Sequence, residues 1–197
     1  MIDRVGFFNE IRDSLFNGSM SQKQVDGCEA LMAATEGLPV TYRAYILATA
    51  YLETASTMLP IAEYGKGRGH KYGKKGKYGQ AQYGRGYVQL TWDHNYIRAD
   101  KELNLDGALL ADFNLAMQPT VAANIIVKGM LGGWFTGEKL SDYLPNDYRQ
   151  ARRIVNGMDR AGDIAGYAEV FERAFIALGV VDKPKPSIWK IIMGLFK

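Results

Sequence analysis

The sequence predicts a mainly α-helical fold that contains one long irregular segment. Three observations favour this class. Apolar residues recur at helical spacing over most of the first 180 positions, strand patterns are scarce, and 197 residues are enough for a single buried core. We therefore expect one folded domain over residues 1–181, followed by a separate tail over residues 182–197.

Three helices are predicted in the first third of the chain. Helical spacing of apolar side chains marks the first, at Val5, Phe8, Ile11 and Leu15. Gly18 ends this pattern, and Ser21 with Gln24 has the spacing of a capping box at the start of the second helix. Thr41 is expected to cap the third, over residues 42–56, where apolar and aromatic side chains cover most of the circumference. This third helix should therefore lie at the centre of the core.

Residues 60–86 are predicted to form a long loop. They show no sustained periodicity and include eight glycines between Gly65 and Gly86, although a short hairpin would fit within them. Residues 87–92 alternate well enough for a short strand or an extended rim. Loops of this length in a compact domain are usually functional or disordered, so the segment is a candidate functional region.

Four more helices are predicted in the second half of the chain. Asp93 is expected to cap a helix over residues 94–103. The others are expected at residues 119–131, 147–155 and 163–178. Pro119 suits the first turn of its helix, and Gly179 suits the end of the last one.

Positive charge is concentrated in two segments. Between Tyr64 and Trp92 there are seven Lys or Arg residues and no acid, and from Lys183 onward there are four Lys and no acid. The rest of the chain holds 13 basic residues against 21 acidic ones, a balance of −8. The two segments are therefore either contacts with anionic surfaces or a solvated loop and a frayed end.

The tail combines a stiff KPKP spacer with an apolar, lysine-bearing segment. This composition is typical of an interfacial membrane anchor, although so short a segment would also be able to dock on the domain. The residues expected to contact a membrane are Lys185, Trp189, Lys190, Phe196 and Lys197. The expected partner is anionic lipid or lipopolysaccharide.

Two glutamates ten residues apart, Glu53 and Glu63, are a candidate carboxylate pair. Cleavage of a glycosidic bond requires one carboxylic acid to protonate the leaving oxygen and a second carboxylate as base or nucleophile. Glu53 ends an apolar, aromatic helix, where desolvation would raise its pKa and keep a proton available. Glu63 lies in a glycine-flanked loop, where solvation would leave it ionised.

Other residues with chemical potential have simpler interpretations. His70 and His94 have no Cys or His partner at ligand spacing, so neither a metal nor a cofactor is expected. Cys28 stands alone, which excludes an intramolecular disulfide and favours a buried side chain. Arg152 and Arg153 would either orient a carboxylate or lie on a helix surface.

Two passages, AYILATAYLETA and GRGYVQLTWDHNY, resemble the family 19 glycoside hydrolases, which include plant-type chitinases and many phage endolysins. The resemblance implies a lysozyme-like helical domain with a long loop or short β-hairpin beside the cleft. It implies that Glu53 is the general acid and that Thr91 helps to hold the attacking water. It also implies that Gln89 and Asn95 bind the substrate.

A third passage, ARRIVNGMDRAGDIAGYAEVFERA, resembles the C-terminal segment of the family and implies that Asn156 lies in the cleft. The aromatic residues of the loop and its rim are expected either to stack on sugar faces or to pack in the core or the loop, and they are Tyr72, Tyr78, Tyr83, Tyr87 and Trp92. Of these, Tyr87 and Trp92 are assigned to the substrate. The passages LPIAEYG, QPTVAANIIVKGMLGGWFTG and RRIVNG fit the small endolysins of phages that infect Gram-negative bacteria.

Glu63 is assigned as general base by elimination, because no other acid lies between Glu53 and Asp93. Plant-type members of the family place the second glutamate about twice as far along the chain. If the family mechanism holds, hydrolysis inverts the anomeric carbon, and the two carboxyl groups lie roughly 6.5–9.5 Å apart.

Together these residues predict a phage-type endolysin, a muramidase-like glycosidase that hydrolyses the β-1,4 bond between N-acetylmuramic acid and N-acetylglucosamine in peptidoglycan. The alternatives are a chitinase and a non-enzymatic module that binds anionic surfaces. We expect a monomer that binds no nucleic acid. The N-terminal segment lacks the apolar region of a secretory signal. We therefore expect synthesis in the host cytoplasm and action on the periplasmic wall after membrane permeabilisation.

Overall fold

The computed structural model describes residues 4–180, and the predicted tail with its membrane-contacting residues lies outside them. The α-helices of this part are α1 (Arg4–Leu15), α2 (Gln22–Ala34), α3 (Val40–Glu53), α4 (Asp93–Leu103), α5 (Ala108–Ala111), α6 (Pro119–Gly132), α7 (Leu140–Tyr143) and α8 (Ala161–Ala177). Short 3-10 helices span Lys71–Gly73, Phe113–Met117 and Gln150–Ile154. The mainly α-helical prediction is confirmed.

Helix α3 is the centre of the core, as its apolar circumference predicts. Ten of its fourteen residues are buried, and it packs chiefly against α8, which also supports α1. Aromatic rings join these helices, since the Phe7 ring lies 5.0 Å from that of Phe175 and 6.5 Å from that of Phe171. We refer to α1, α3 and α8 as the helical frame. It holds the last turn of α3, and therefore Glu53, in a fixed position.

Several helix boundaries follow their predicted signals. Ser21 and Gln24 form both bonds of the capping box at α2, and Pro119 occupies the first turn of α6. Gly179 has a φ of 77° directly after α8, as expected of a helix-ending glycine. Cys28 is buried in the core, also as predicted.

Two predicted caps are wrong. Helix α3 begins at Val40, with Pro39 before it, so Thr41 lies inside the helix. Helix α4 begins at Asp93 itself, because the Asp93 carboxylate accepts the backbone N–H of Lys77 at 2.6 Å instead of capping its own helix. Neither helix start has a side-chain cap.

Two predicted elements also differ from the structure. The segment expected to be a helix over residues 147–155 forms only the short 3-10 helix at its end. The segment over residues 87–92 is a turn and not a strand, because a single antiparallel bridge between Arg85 and Leu90 closes it and Gln89 has a φ of 54°. No strand is present between residues 4 and 180, where the bridges are isolated pairs.

The long segment between α3 and α4, residues 54–92, is here called the α3–α4 loop. Its backbone is folded back on itself by bridges between Ala62 and Arg85 and between Lys75 and Ala81. One of its side-chain anchors is the buried Arg85, which donates hydrogen bonds to Asn114 Oδ1, the carbonyl oxygens of Ala81 and Tyr83, and the Tyr96 hydroxyl. One guanidinium thus fastens an irregular loop to the helices behind it.

None of the helices between residues 4 and 180 has the length and apolar character needed to cross a membrane.

Candidate active site

Glu53 lies at the last position of α3, where the chain leaves the helix through an unusual backbone. Ala55, Ser56 and Met58 all have positive φ values, of 50°, 66° and 54°. Such conformations are costly for residues with a side chain and often occur at functional sites. The segment is held from outside, because the Gln24 amide donates to the Ser56 carbonyl at 3.1 Å.

The partner of Glu53 is Arg152, which follows it by 99 residues. Nη1 of Arg152 lies 2.7 Å from Oε1 of Glu53, and the Arg152 side chain is only 4% exposed while that of Glu53 is 20% exposed. Nε of Arg152 donates to the carbonyl of Asp159, which fixes the plane of the guanidinium. Of the two predicted alternatives, Arg152 therefore orients a carboxylate, whereas Arg153 is exposed and bonds to Gln150.

The ion pair changes the predicted electrostatics of Glu53. A partly desolvated setting was expected, and the Glu53 side chain is indeed only 20% exposed, but it also faces a buried guanidinium. The sequence pattern did not indicate this neighbour, because it comes from a distant part of the chain. A guanidinium only donates hydrogen bonds, so this contact suits the ionised carboxylate.

Glu63 is placed by the α3–α4 loop and not by a helix. Its backbone N–H donates to the Gly84 carbonyl at 2.8 Å, and the Gly84 N–H donates to Oε2 of Glu63 at 3.3 Å. The Tyr72 hydroxyl donates to Oε1 at 3.4 Å. Glu63 therefore accepts two long hydrogen bonds from neutral donors, in contrast to the short ion pair of Glu53.

Gln89, Thr91 and Asn95 form a chain of contacts beside Glu63. The Gln89 amide donates to the carbonyls of Ile61 and Gly86, at 3.2 and 3.0 Å. Oγ1 of Thr91 donates to the Gln89 carbonyl, and Nδ2 of Asn95 donates to the Thr91 carbonyl, each at 2.8 Å. All three predicted side chains are half-buried and neighbour one another, and in this structure they support the loop.

The two predicted aromatic contacts differ in exposure. Tyr87 is fully buried, and its hydroxyl faces the carbonyl of Gly27 at 3.5 Å. It is a core residue, which corrects the prediction that it stacks on a sugar. Trp92 is 37% exposed, and its ring lies edge-on to that of Tyr72, with centroids 5.7 Å apart. Tyr72 thus links the exposed indole to Glu63.

Asn156 is exposed and lies beside the partner of Glu53, because its backbone N–H donates to the Arg152 carbonyl at 3.1 Å. The structure therefore assembles two groups of predicted residues. One contains Glu53, Arg152 and Asn156, and the other contains Glu63 with the residues of the α3–α4 loop. The separation of the two carboxyl groups required for inversion stays a prediction.

No group of three or more His, Cys, Asp or Glu side chains that would hold a metal ion occurs between residues 4 and 180. His70 and His94 are both exposed. The ring of His70 stacks on that of Tyr72, with centroids 4.9 Å apart and planes 5° apart.

Sequence reasoning left two residues of the site without a firm role. Tyr72 was one of several loop aromatics with no assigned partner, although its nine-residue distance from Glu63 within one glycine-rich loop was a usable signal. Arg85 lies inside the motif GRGYVQLTWDHNY but carried no prediction of its own. Its contact with Tyr96, eleven residues later, is not visible in any local pattern.

Comparisons with known proteins agree with this architecture. No protein-family model matches the chain. A basic endochitinase of Brassica napus is 33% identical over 89 residues, which cover 45% of this chain and 30% of that protein. Endochitinase A of Zea mays is 34% identical over 79 residues, which cover 40% of this chain and 26% of that protein. The chain thus matches less than a third of the length of these curated relatives.

Solved structures match over much more of the chain. A bacterial family 19 chitinase superposes with a TM-score of 0.61 at 22% identity, covering 93% of this chain and 98% of that one. Chitinase C of Streptomyces griseus gives a TM-score of 0.60 at 21% identity, covering 93% and 79%. A class IV family 19 chitinase of Zea mays gives 0.54 at 18% identity, covering 89% and 94%. The resemblance to family 19 is therefore confirmed, and the chain has the chitinase-like, lysozyme-like fold of the family 19 glycoside hydrolases.

Proposed function

We propose that this chain is a glycosidase of the family 19 type, acting on β-1,4-linked amino-sugar polymers, and that its substrate is peptidoglycan. The observation that carries the proposal is the pairing of Glu53 with the buried Arg152 at the end of the central helix. A second carboxylate, Glu63, lies in the adjoining loop with donors on both of its oxygens. Two carboxyl groups are the chemical minimum for glycoside hydrolysis.

Glu53 acts as the general acid in this proposal. Arg152 holds Oε1, and Oε2 accepts no hydrogen bond from residues 4–180, so Oε2 is the oxygen free to approach the leaving group. As the acid, Glu53 takes up a proton from water before cleavage, and Oε2 passes that proton to the leaving oxygen. Arg152 then stabilises Glu53 again when the proton has passed to the leaving oxygen.

Glu63 acts as the general base on the attacking water. The N–H of Gly84 and the hydroxyl of Tyr72 keep its carboxylate oriented without supplying a positive charge. Thr91, which lies in the same group of contacts, helps to position that water. The product would then have the inverted anomeric configuration.

Charge favours peptidoglycan over chitin as the substrate. The α3–α4 loop carries six exposed Lys or Arg between Tyr64 and Trp92 and no acid in that interval, whereas chitin is neutral. Peptidoglycan carries free carboxylates on its peptide stems, and a basic surface beside the site would attract them. A phage-type endolysin that causes lysis of its host is the biological role consistent with this preference.

A chitinase is the second candidate, because the relatives and the structural neighbours are named as chitinases. Comparing the sugars released from chitin oligomers and from purified peptidoglycan separates the two. Mass spectrometry of reduced fragments identifies the new reducing end. N-acetylmuramic acid at that end supports the proposal, and exclusive cleavage of chitin overturns it in favour of a chitinase.

Replacing Glu53 by glutamine tests the catalytic assignment. We expect hydrolysis of peptidoglycan to fall by roughly 10²- to 10⁴-fold, the usual contribution of a general acid. Glu169→Gln is a matched control, since Glu169 is an exposed carboxylate on α8. The far-ultraviolet circular dichroism of both variants should equal that of the wild type. Undiminished hydrolysis by Glu53→Gln would reject Glu53 as the acid.

The tail carries a separate part of the proposal, namely binding of anionic lipid or lipopolysaccharide. Deletion of residues 183–197 should leave hydrolysis of purified wall unchanged and lower binding to vesicles that contain anionic lipid. Vesicles of neutral lipid are the control. Equal vesicle binding with and without the tail would remove this part and leave the glycosidase assignment in place.

A further inference from the structure

The α3–α4 loop contains a depression of about 260 Å³ that is lined by basic side chains and glycines. Its lining residues are Gly67, Arg68, Gly69, His70, Lys71, Gly73 and Lys74. We call it the basic depression. Its charged residues are Arg68, Lys71 and Lys74, and all three are exposed.

None of these three cations has an acidic partner between residues 4 and 180. The ion pairs of this part of the chain involve Arg4, Arg152, Arg160 and Arg173. Three uncompensated positive charges around one concave surface repel each other, and an anion placed among them relieves that repulsion. The basic depression therefore has the electrostatics of an anion site and not of a salt-bridged surface.

Two glycines give the basic depression its shape. A Cβ at Gly73 would lie 2.1 Å from the carbonyl oxygen of Gly67, and a Cβ at Gly67 would lie 2.5 Å from Cα of Gly73. The two backbones therefore touch, and Gly67 has a φ of 68° that favours glycine. This close approach folds residues 67–73 into a tight loop, and the cations lie around one opening.

The basic depression adjoins the candidate active site. His70 stacks on Tyr72 with ring centroids 4.9 Å apart, and the Tyr72 hydroxyl donates to Glu63. The Tyr72 ring also meets the exposed Trp92. A glycan that passed over Trp92 and Glu63 would thus bring its substituents within reach of the basic depression.

We propose that the basic depression is a subsite for the free carboxylates of the peptide stems that a glycan strand carries. This rests on the proposed function and names the part of the substrate that the loop recognises. A neutral glycan has no group for this subsite, so the subsite discriminates peptide-bearing from peptide-free strands. Carboxylate recognition by Arg and Lys at a partly exposed site is a matter of charge and is weakened by salt.

The test measures binding and hydrolysis separately. In the Glu53→Gln background, binding is measured to purified peptidoglycan and to the same glycan after an amidase has removed its peptides. Lys71→Gln/Lys74→Gln is compared with Lys23→Gln/Lys101→Gln, which removes the same charge from exposed positions on α2 and α4. We expect the first pair to weaken binding to intact peptidoglycan roughly tenfold relative to the second pair, as two lost charge contacts imply.

Three outcomes would overturn the subsite. Equal affinity of the two double variants for intact peptidoglycan leaves only general attraction by charge. An equal loss on intact and peptide-free glycan shows that the basic depression contacts the sugar chain. A loss confined to lipopolysaccharide or anionic vesicles assigns it to phosphate groups of a membrane. If the wild type cleaves neither glycan, the proposed function is rejected instead of the subsite. This control is measured in the protein without the Glu53→Gln substitution.

Discussion

The two candidate carboxylates are held by contrasting parts of the molecule. Glu53 ends a helix whose residues are mostly buried and which packs on α8 within the helical frame. Glu63 lies in the α3–α4 loop, which has isolated bridges and no strand, and in which Arg85 is one of the side-chain anchors, together with Gln80. One carboxylate is thus positioned by many apolar contacts, and the other by a few polar ones.

This contrast indicates that the end of α3 is held rigidly, whereas the position of the loop depends on a few contacts. Apolar packing is distributed over many side chains, so no single polar change should displace the end of α3. A polar network concentrates its contribution in its central member, and removing that member leaves several buried groups without partners. Substitutions in the loop should therefore affect activity more than their effect on helix content would indicate.

The largest effect is expected where the helical frame meets the site, at Arg152. Arg152→Met should lower turnover of the proposed substrate at least about 100-fold, because Glu53 loses the group that orients it. Stability should fall by about 2 kcal/mol, less than for a fully buried ion pair because Glu53 is partly exposed. Arg153→Met removes an exposed neighbour and is the control.

Steady-state kinetics separates positioning from simple destabilisation at Arg152. If Arg152 positions Glu53, Arg152→Met lowers kcat with little change in KM. Arg152→Lys should then have a kcat between those of Arg152→Met and the wild type. Equal losses in the Arg152 and Arg153 variants, or a loss that appears in KM alone, would contradict the role given to the ion pair.

The second largest effect is expected at Arg85, where the loop is fastened. Arg85→Lys retains the charge but loses the fork that reaches Asn114, two carbonyls and Tyr96 at once. We expect a loss of about 2 kcal/mol, since more than one buried hydrogen-bonding group is left unsatisfied. Chemical denaturation measures it, and Arg98→Lys, at an exposed position on α4, should change stability by less than about 0.5 kcal/mol.

Hydrogen exchange shows whether Arg85 acts on the loop or on the whole fold. Amides of residues 60–92 should lose protection in Arg85→Lys, while those of α3 and α8 retain it. Uniform loss of protection would mean that the loop and the helical frame unfold together, and the contrast drawn between them would fail.

The sequence predicts the helical frame much better than the loop, for physical reasons. Helix α1, the capping box at Ser21 and the proline start of α6 depend on side chains within a few residues of each other. Periodicity and capping report such local energetics directly. The wrong cap at Asp93 arose because Lys77, sixteen residues earlier, supplied a better donor.

The sequence named the residues of the candidate site but not their contacts. The resemblance to family 19 supplied Glu53, but the contact with Arg152 spans 99 residues and has no local signal. Tyr87 was misassigned because an aromatic residue in a glycine-rich motif suits a sugar contact and a core position equally. Only its full burial distinguishes the two.

The third effect depends on pH and concerns the junction between the loop and α4. Burial raises the pKa of Tyr96 to about 12, although the nearby Arg85 opposes this in part. The neutral phenol is favoured in the fold, so its contribution is complete below pH 10 and is lost as the pH rises from 10 to 12. The loss should reach roughly 2 kcal/mol for a shift of about two units.

Urea denaturation at several pH values measures this contribution. The stability difference between the wild type and Tyr96→Phe should decrease between pH 10 and 12, while the difference between the wild type and Tyr64→Phe stays constant, because Tyr64 is exposed. A parallel decline in all three proteins would assign the alkaline loss to other groups.

The smallest effect is expected at Tyr72, where a single hydroxyl reaches Glu63. Tyr72→Phe removes the 3.4 Å donor but keeps the ring that contacts His70 and Trp92. A hydrogen bond as long as this one, from a neutral donor, is worth about 0.5–1 kcal/mol, so turnover should fall by roughly two- to fivefold. Tyr64→Phe, in the same loop, should leave turnover unchanged. A loss of a hundredfold or more would mean that the Tyr72 hydroxyl itself takes part in the reaction. The loop would then hold Glu63 more tightly than the lengths of its two hydrogen bonds indicate.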